Sequence, residues 1–140
     1  MSDKKTLFAA IDAQRDVLCS MADQIFDHPE YEGEEVFASG LLTDYLRAQG
    51  FEVEMGVGGF KTAFRATYKR GEGGPKLGIL CEYDALRNLG HGCGHHMQGP
   101  GCLGAAVALK NMDGAEPFEL IIYGTPAEES FGSKVQMLER

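Results

Sequence analysis

The stretch KLGILCEYD, residues 76–84, is a short apolar run that ends in polar residues. Runs of this length and composition are typical of β-strands that are covered on both faces. A second such run, FELIIYG, lies at residues 118–124, and the small-residue segment between them predicts a helix that begins near Gly99 and Pro100. A strand, a helix and a strand of these lengths predict a right-handed parallel crossover and therefore an α/β fold.

The residues before this unit predict two helices and a hairpin. The first helix ends near Pro29 and has one apolar face, made of Leu7, Ile11, Leu18, Met21 and Ile25. The second runs from about Glu34 to a cap at Gly50, and its inward face comprises Phe37, Leu41, Tyr45 and Leu46. FEVEM (51–55) and KTAFRATYKR (61–70) alternate as half-buried strands do and are separated by GVGG, which predicts a β-hairpin. SFGSKVQMLER, residues 130–140, predicts the first turns of another helix.

The composition narrows the class of protein. A chain of 140 residues is the size of one domain. It has 21 acidic and 13 basic residues, and the resulting net charge of -8 argues against binding to nucleic acid or to an anionic membrane surface. The N-terminus lacks the features of a signal peptide, and no apolar run approaches a membrane span. We therefore expect a soluble cytoplasmic protein whose partners are small molecules or proteins. The four cysteines show no paired spacing, so disulfides are disfavoured.

Polar residues follow both predicted parallel strands. Glu82 and Asp84 end the first strand on the same side and lead into GHGCGHH, residues 90–96, while GTPAEES, residues 124–130, ends the second. In open α/β sheets, ligands lie beyond the carboxyl ends of the strands. A thiolate, imidazoles and carboxylates are the ligand types that hold zinc and related divalent ions. Gly92 and Gly94 let Cys93 and the following histidine turn to one point, and the helix N-terminus is expected to favour the Cys93 thiolate.

These residues could also have ordinary structural roles. A single Cys-Gly-His triplet is weak evidence for a metal, because buried cysteine usually only packs, and adjacent glutamates are usually solvated. Cys19 and Cys102 are expected to pack within their helices, and Cys81 is expected to point away from Glu82. His28 is expected to be part of a helix-ending turn. The placement of both polar clusters at strand ends favours a functional site.

Three motifs carry a resemblance to a known family. CEYDAL (81–86), GHGCGHHMQGPGCLGAA (90–106) and GTPAEES (124–130) resemble, in order and separation, the motifs of the M20 peptidase family of two-metal amidohydrolases. They are most similar to the branch with aminobenzoyl-glutamate hydrolases and amidohydrolases of N-acyl amino acids. HPEYEGEE (28–35) and residues 46–64 extend the likeness. It implies a three-layer αβα, zinc-peptidase-like catalytic domain of which residues 1–140 are the N-terminal portion, without the dimerisation (lid) domain and the C-terminal part.

The resemblance also implies roles for individual residues. Cys93, His95 and Glu129 match the family's metal ligands, Glu128 matches the general base, and Asp84 matches an aspartate that supports the metal site. The family holds two divalent ions; zinc is the first expectation, while manganese, nickel and cobalt also suit such ligands. The implied substrates are N-acyl amino acids or small peptides.

This sequence departs from the family pattern in two motif positions and in length. His96 replaces an Asp or Asn, and Arg87 replaces the proline of DALP. The family's further histidine ligands come from later sequence.

The sequence is compatible with two functions. The chain is either the N-terminal portion of an amidohydrolase or a noncatalytic fragment that binds a partner chain. A redox module built on Cys93 and Cys102 is disfavoured because there is no Cys-x-x-Cys pair. The expected assembly is a homo-oligomer or association with the rest of the enzyme. On its own, the chain is expected to bind metal weakly, to lack hydrolase activity and to leave one apolar sheet surface open.

Overall fold

A computed structural model describes residues 4–114 and 116–138. It contains five α-helices: Lys4–Asp12 (α1), Arg15–Asp27 (α2), Val36–Ala48 (α3), His95–Lys110 (α4) and Ser133–Leu138 (α5). The same described residues form four β-strands: Glu52–Met55 (β1), Phe64–Arg70 (β2), Lys76–Cys81 (β3) and Phe118–Gly124 (β4). A 3-10 turn, Val57–Gly59, lies between β1 and β2.

The four strands form one mixed sheet in the order β1-β2-β4-β3. β1 and β2 make an antiparallel hairpin, β2 pairs antiparallel with β4, and β4 pairs parallel with β3. The predicted hairpin and the predicted parallel pair are therefore both present, and β4 joins them. The prediction of an α/β fold is confirmed. At one edge of the sheet the carboxyl ends of β3 and β4 meet, with Cys81 opposite Gly124.

One face of the sheet packs against α3 and α4, and α2 packs against these two helices. β4 alternates strictly between buried and half-buried residues, so its buried side chains all point to this face. Fully buried side chains from both layers make up the core, among them Ile25, Leu42, Leu46, Phe64, Leu103, Leu120 and Ile122. Burying each of these large apolar side chains contributes about 1.5–3 kcal/mol to folding. The core fixes the sheet edge against the start of α4.

The opposite face of the sheet is largely uncovered by the described residues. Leu80 on β3, whose side chain points to this face beside Tyr123, is 51% exposed, so the prediction that this strand is covered on both faces is wrong. The reason is that β3 is an edge strand, and the described core helices pack on the face that carries Cys81. Beside this face, Tyr123 and Met137 help to line an open groove of about 600 Å³ along α5.

The predicted first helix is in fact two helices. α1 ends at Asp12 and α2 starts at Arg15, although the apolar face continues across the break. The side chain of Gln14 anchors the break: its amide donates hydrogen bonds to the carbonyl oxygens of Ala10 (2.9 Å) and Gly104 (3.4 Å), and the Tyr45 hydroxyl donates to its oxygen (2.6 Å). The helix is therefore interrupted where this polar side chain contacts α3 and α4.

Two side chains differ from their predicted environments. Phe37 is exposed and stacks on His28 with 4.4 Å between ring centroids, because the buried face of α3 is shifted by one residue to the positions of Ala38, Leu42 and Leu46. Cys19 is exposed on α2 and does not pack as expected. The predicted cap at Gly50 is present, with a φ of 79°. Among the described helices, none is long and apolar enough to cross a membrane.

Candidate metal centre

The start of α4 holds the first part of the site. Gly94 has a φ of 90° and caps α4, so the helix begins at His95 and not near Gly99 as the sequence suggested. Pro100 lies inside the helix. Pro100 is the sixth residue of the helix, where a proline removes one backbone hydrogen bond and crowds the carbonyl of residue 96, so the glycine cap and not the proline sets the start of the helix. His95 is therefore fixed at the first helical position, facing the end of β3.

Asp84 orients the His95 ring. The Asp84 Oδ1 atom lies 3.0 Å from His95 Nδ1, and the side chains are only 1% and 10% exposed. The hydrogen bond to Asp84 is the largest cause that raises the pKa of His95, against the opposing effect of burial. Burial acts to raise the pKa of Asp84, but hydrogen bonds from His95 and from the Glu129 backbone outweigh it, and the net shift is downward. With Nδ1–H donated to the carboxylate, the lone pair of a neutral ring is on Nε2.

Cys93, His95 and Glu129 converge around this ring. One potential ligand atom from each lies within 4.8 Å of the other two. The Glu129 Oε1 atom is 3.9 Å from His95 Nε2, and the Glu129 backbone N–H donates a hydrogen bond to Asp84 Oδ2 at 2.9 Å. The sequence predicted this convergence at the ends of two parallel strands. Asp84 therefore contacts both the histidine and the glutamate backbone.

The surroundings of Cys93 disfavour its thiolate in the metal-free chain. Burial raises the pKa of Cys93, and the neighbouring Glu129 carboxylate acts in the same direction, although a backbone hydrogen bond at His95 opposes them. The helix N-terminus therefore favours the thiolate as expected, through the backbone N–H of His95, but burial and Glu129 outweigh it and the net shift of the Cys93 pKa is upward. A cysteine in such a place loses its proton when a divalent cation binds, since coordination deprotonates a thiol.

A second group of potential ligands shares the same histidine. Glu82, His95 and Glu128 also present ligand atoms within 4.8 Å of one another, with His95 Nε2 at 3.1 Å from Glu82 and 3.9 Å from Glu128. Lys134 on α5 forms an ion pair with Glu82, and its ammonium lies 3.7 Å from Glu128. Because Nε2 has a single lone pair, His95 can serve one ion at a time. Sequence reasoning placed Glu82 beside Asp84 but missed it as a potential ligand, and it missed Lys134 entirely.

The donor set of the first group suits a zinc-like ion. It combines one sulfur, one imidazole nitrogen and one carboxylate oxygen, which are the usual zinc donors, and a carboxylate holds the imidazole from behind. Three protein ligands leave a position free for water or substrate, as in catalytic zinc sites. The carboxylate side chains of Glu128 and Glu129 are 35% and 30% exposed, so the site is reachable from solvent.

The remaining histidines and cysteines lie outside this centre. His91 and His96 pack against Phe26, with ring centroids at 6.4 and 5.0 Å, and neither joins a ligand group of the described residues. Cys81 is buried in the core, on the opposite side of its strand from Glu82 as predicted, and Cys102 is half-buried, with its thiol donating to a backbone carbonyl of β3.

Comparison with known proteins gives relatives that match most of the chain. No protein-family model matches the chain. It is 35% identical over 148 aligned positions to a subunit of the p-aminobenzoyl-glutamate hydrolase of Escherichia coli, covering 92% of the chain and 30% of that protein. It is 34% identical to the Xaa-Arg dipeptidase of Mus musculus, covering 97% of the chain and 34% of that protein.

A solved structure shares the fold. It is a dinuclear metal-binding peptidase of the M20 family from Bacillus subtilis, with a TM-score of 0.74 at 23% identity, over 99% of this chain and 40% of that one. The chain thus spans about a third of the length of the curated relatives that it matches.

Proposed function

We propose, from the premise that this chain belongs to the M20 family of peptidases and amidohydrolases and spans about a third of such proteins, that it carries part of the active site of a metal-dependent hydrolase. The proposed reaction is hydrolysis of an amide bond in an N-acyl amino acid or a small peptide. The curated relatives are named for reactions of this kind, on an aminobenzoyl-glutamate and on a dipeptide. We further propose that the protein works in the cytoplasm.

One observation carries the proposal: Cys93, His95 and Glu129 converge while Glu128 stands beside them. The first three are the proposed ligands of a divalent ion, with zinc as the first expectation and manganese, nickel or cobalt as alternatives. A bound ion at such a site supplies a Lewis acid for the amide carbonyl and lowers the pKa of water. Asp84 keeps the histidine lone pair directed at the ion's position.

Glu128 is the proposed acid/base. Its side chain is 35% exposed, and its Oε2 atom lies 3.9 Å from His95 Nε2, beside the proposed ligands. In this role its carboxylate accepts a proton from the attacking water and returns that proton to the leaving amine nitrogen. The peptide segment that precedes it is buried, so its position is set by the fold.

Residues 1–140 are proposed to be the N-terminal portion of a catalytic domain, with further ligands, a second ion and most substrate contacts supplied by other sequence. The uncovered sheet face with Leu80 and Tyr123 supports this arrangement and also supports the second candidate function. In that candidate, a noncatalytic chain keeps the fold and binds a partner, either another copy of itself or the remainder of the enzyme, through this face.

Titration calorimetry with Zn²⁺ and Mn²⁺ tests the centre on the 140-residue chain. One ion should bind per chain, and Cys93→Ser and Glu129→Gln should each weaken binding by at least about tenfold, since each removes one of three ligands. Cys19→Ser changes an exposed cysteine far from the centre and serves as the matched control. Equal affinity in all four proteins would contradict the assignment. Steady turnover of an N-acyl amino acid by the 140-residue chain alone would contradict the proposal that its site is incomplete.

A further inference from the structure

Glu35 is a buried carboxylate that the proposed chemistry does not use. It is fully buried at the N-terminus of α3, in the segment that precedes Val36. Its Oε1 atom accepts hydrogen bonds from the backbone N–H groups of Gly33 (2.8 Å) and Ala127 (3.0 Å), and its Oε2 atom accepts one from the Thr62 hydroxyl (3.1 Å). A buried charge is tolerated when its oxygens are hydrogen-bonded, as these are. The three donors come from three separate parts of the chain.

The donor at Ala127 is the informative one. Ala127 is fully buried and has a φ of 55°, in the left-handed region that residues with a Cβ adopt only at an energetic cost. Such a conformation persists where surrounding contacts fix it, and the carboxylate of Glu35 is one of these contacts. The next two residues are Glu128 and Glu129, so the direction of the chain at Ala127 decides where both of their side chains point.

Residues 125–129 are held by backbone hydrogen bonds at every second residue. The N–H of Thr125 donates to the carbonyl oxygen of Cys81 (2.8 Å), that of Ala127 to Glu35, and that of Glu129 to Asp84 (2.9 Å). The first anchor continues the pairing of the two parallel strands. The other two are buried carboxylates from distant parts of the chain, and the proposed acid/base Glu128 lies between the two residues that they hold.

We propose that Glu35 is a positioning residue of this site. Its Oε1 atom fixes the Ala127 N–H, and through that bond it directs Glu128 and Glu129 toward His95. The effect on metal binding rests on the proposed function, whereas the effect on the segment's backbone does not.

Two substitutions of Glu35 test the hydrogen bond from Ala127 separately from the size of the side chain. In Glu35→Gln the amide oxygen can accept both backbone N–H bonds, and its NH₂ group can donate to the Thr62 hydroxyl, whose proton is free to turn to the Gly33 carbonyl at 3.2 Å. Glu35→Leu has a comparable size and no acceptor, so the N–H of Ala127 loses its partner. Thr62→Val is the matched control, because it removes a different bond of the same carboxylate and leaves the Ala127 contact in place.

Amide hydrogen exchange of the metal-free chain is the first measurement. The Ala127 N–H lies outside every helix and strand, and in the unchanged chain it should nevertheless exchange slowly. Exchange at residues 127 and 129 should become faster in Glu35→Leu and stay slow in Glu35→Gln and Thr62→Val. Circular dichroism at the same temperature shows that each variant is folded. Fast exchange at Ala127 in the unchanged chain overturns the proposal, and this result needs no variant to fold.

Zinc affinity by calorimetry is the second measurement. Glu35→Leu should bind zinc about 10–100-fold more weakly, the usual effect of losing a group that holds a ligand in place, while Glu35→Gln should stay within about threefold of the unchanged chain. Equal affinity in Glu35→Leu and Thr62→Val would overturn the positioning role. A chain that binds no zinc in any form would contradict the proposed metal centre, while the exchange data would still decide whether Glu35 holds Ala127.

Discussion

Replacing Asp84 by Asn should disable the candidate metal centre without removing any ligand. The two carboxylate oxygens accept two different hydrogen bonds, one from His95 Nδ1–H and one from the Glu129 N–H. An amide has only one acceptor oxygen, so it cannot serve both. With its oxygen toward Glu129, its NH₂ group faces Nδ1 and selects the tautomer with a proton on Nε2, which removes the lone pair for the metal. If the amide oxygen instead faces His95, the NH₂ group faces the Glu129 backbone N–H. Two donors then oppose each other, and the Glu129 N–H has lost its acceptor.

The magnitude follows from these contacts. Losing the group that holds a ligating histidine typically lowers metal affinity 10–100-fold, which is about 1.4–2.7 kcal/mol. A buried donor left without an acceptor costs a further 1–3 kcal/mol or so of folding free energy. Asp84 is 1% exposed, so water cannot replace the lost acceptor.

Calorimetry with Zn²⁺ over a series of pH values is the suitable assay, because the hydrogen bond to Asp84 raises the pKa of His95 and the variant loses that effect. The series separates competition between proton and metal for the ring from the loss of the hydrogen bond that orients it. NMR of the imidazole nitrogens reports the tautomer directly. Asp44→Asn, on the exposed surface of α3, is the control. Unchanged zinc affinity together with an unchanged tautomer would refute the reasoning.

Three further outcomes are expected. Glu128→Gln in a complete enzyme should keep its metal content but lose roughly 10²–10⁴ in the rate of amide hydrolysis, and full activity would mean that the acid/base role is misassigned. Lys134→Met should strengthen metal binding by about tenfold in calorimetry, because its ammonium is paired with Glu82 and opposes a nearby cation, whereas Lys69→Met on the surface should not. The free energy of unfolding of the metal-free chain should fall as the pH drops through the lowered pKa of Asp84. The reason is that a carboxyl group with a lowered pKa stabilises the fold only while it is charged. A thermal midpoint that does not change in this pH range would contradict that contribution.

Much of the site could be predicted from the sequence because parallel strands bring their carboxyl ends together. Once β3 and β4 were recognised, the residues after each strand had to share one edge, and Asp84, Cys93, His95 and Glu129 do. This inference depends on topology and needs no knowledge of side-chain packing.

The features that sequence reasoning missed depend on contacts between distant segments. Lys134 reaches Glu82 across 52 positions, and Glu35 reaches Ala127 across 92, with no local pattern to mark either pair. The break at Gln14 does not show in the sequence for a related reason. Apolar residues recur with helical spacing on both sides of it, and the hydrogen bonds of Gln14 to α3 and α4 depend on the tertiary fold.

The strand order has a consequence for how the chain folds. β2 and β3 follow each other in sequence but do not pair, because β4 lies between them. The hairpin can form early from local contacts, whereas the β2–β4 ladder brings residue 64 to residue 124 and requires a long loop to close. During synthesis the sheet therefore stays in two parts, with unpaired edges on β2 and β3, until residues 118–124 have emerged. Folding of this chain should accordingly be limited by a late, non-local step in which the same strand completes the sheet and brings the two glutamates to their site.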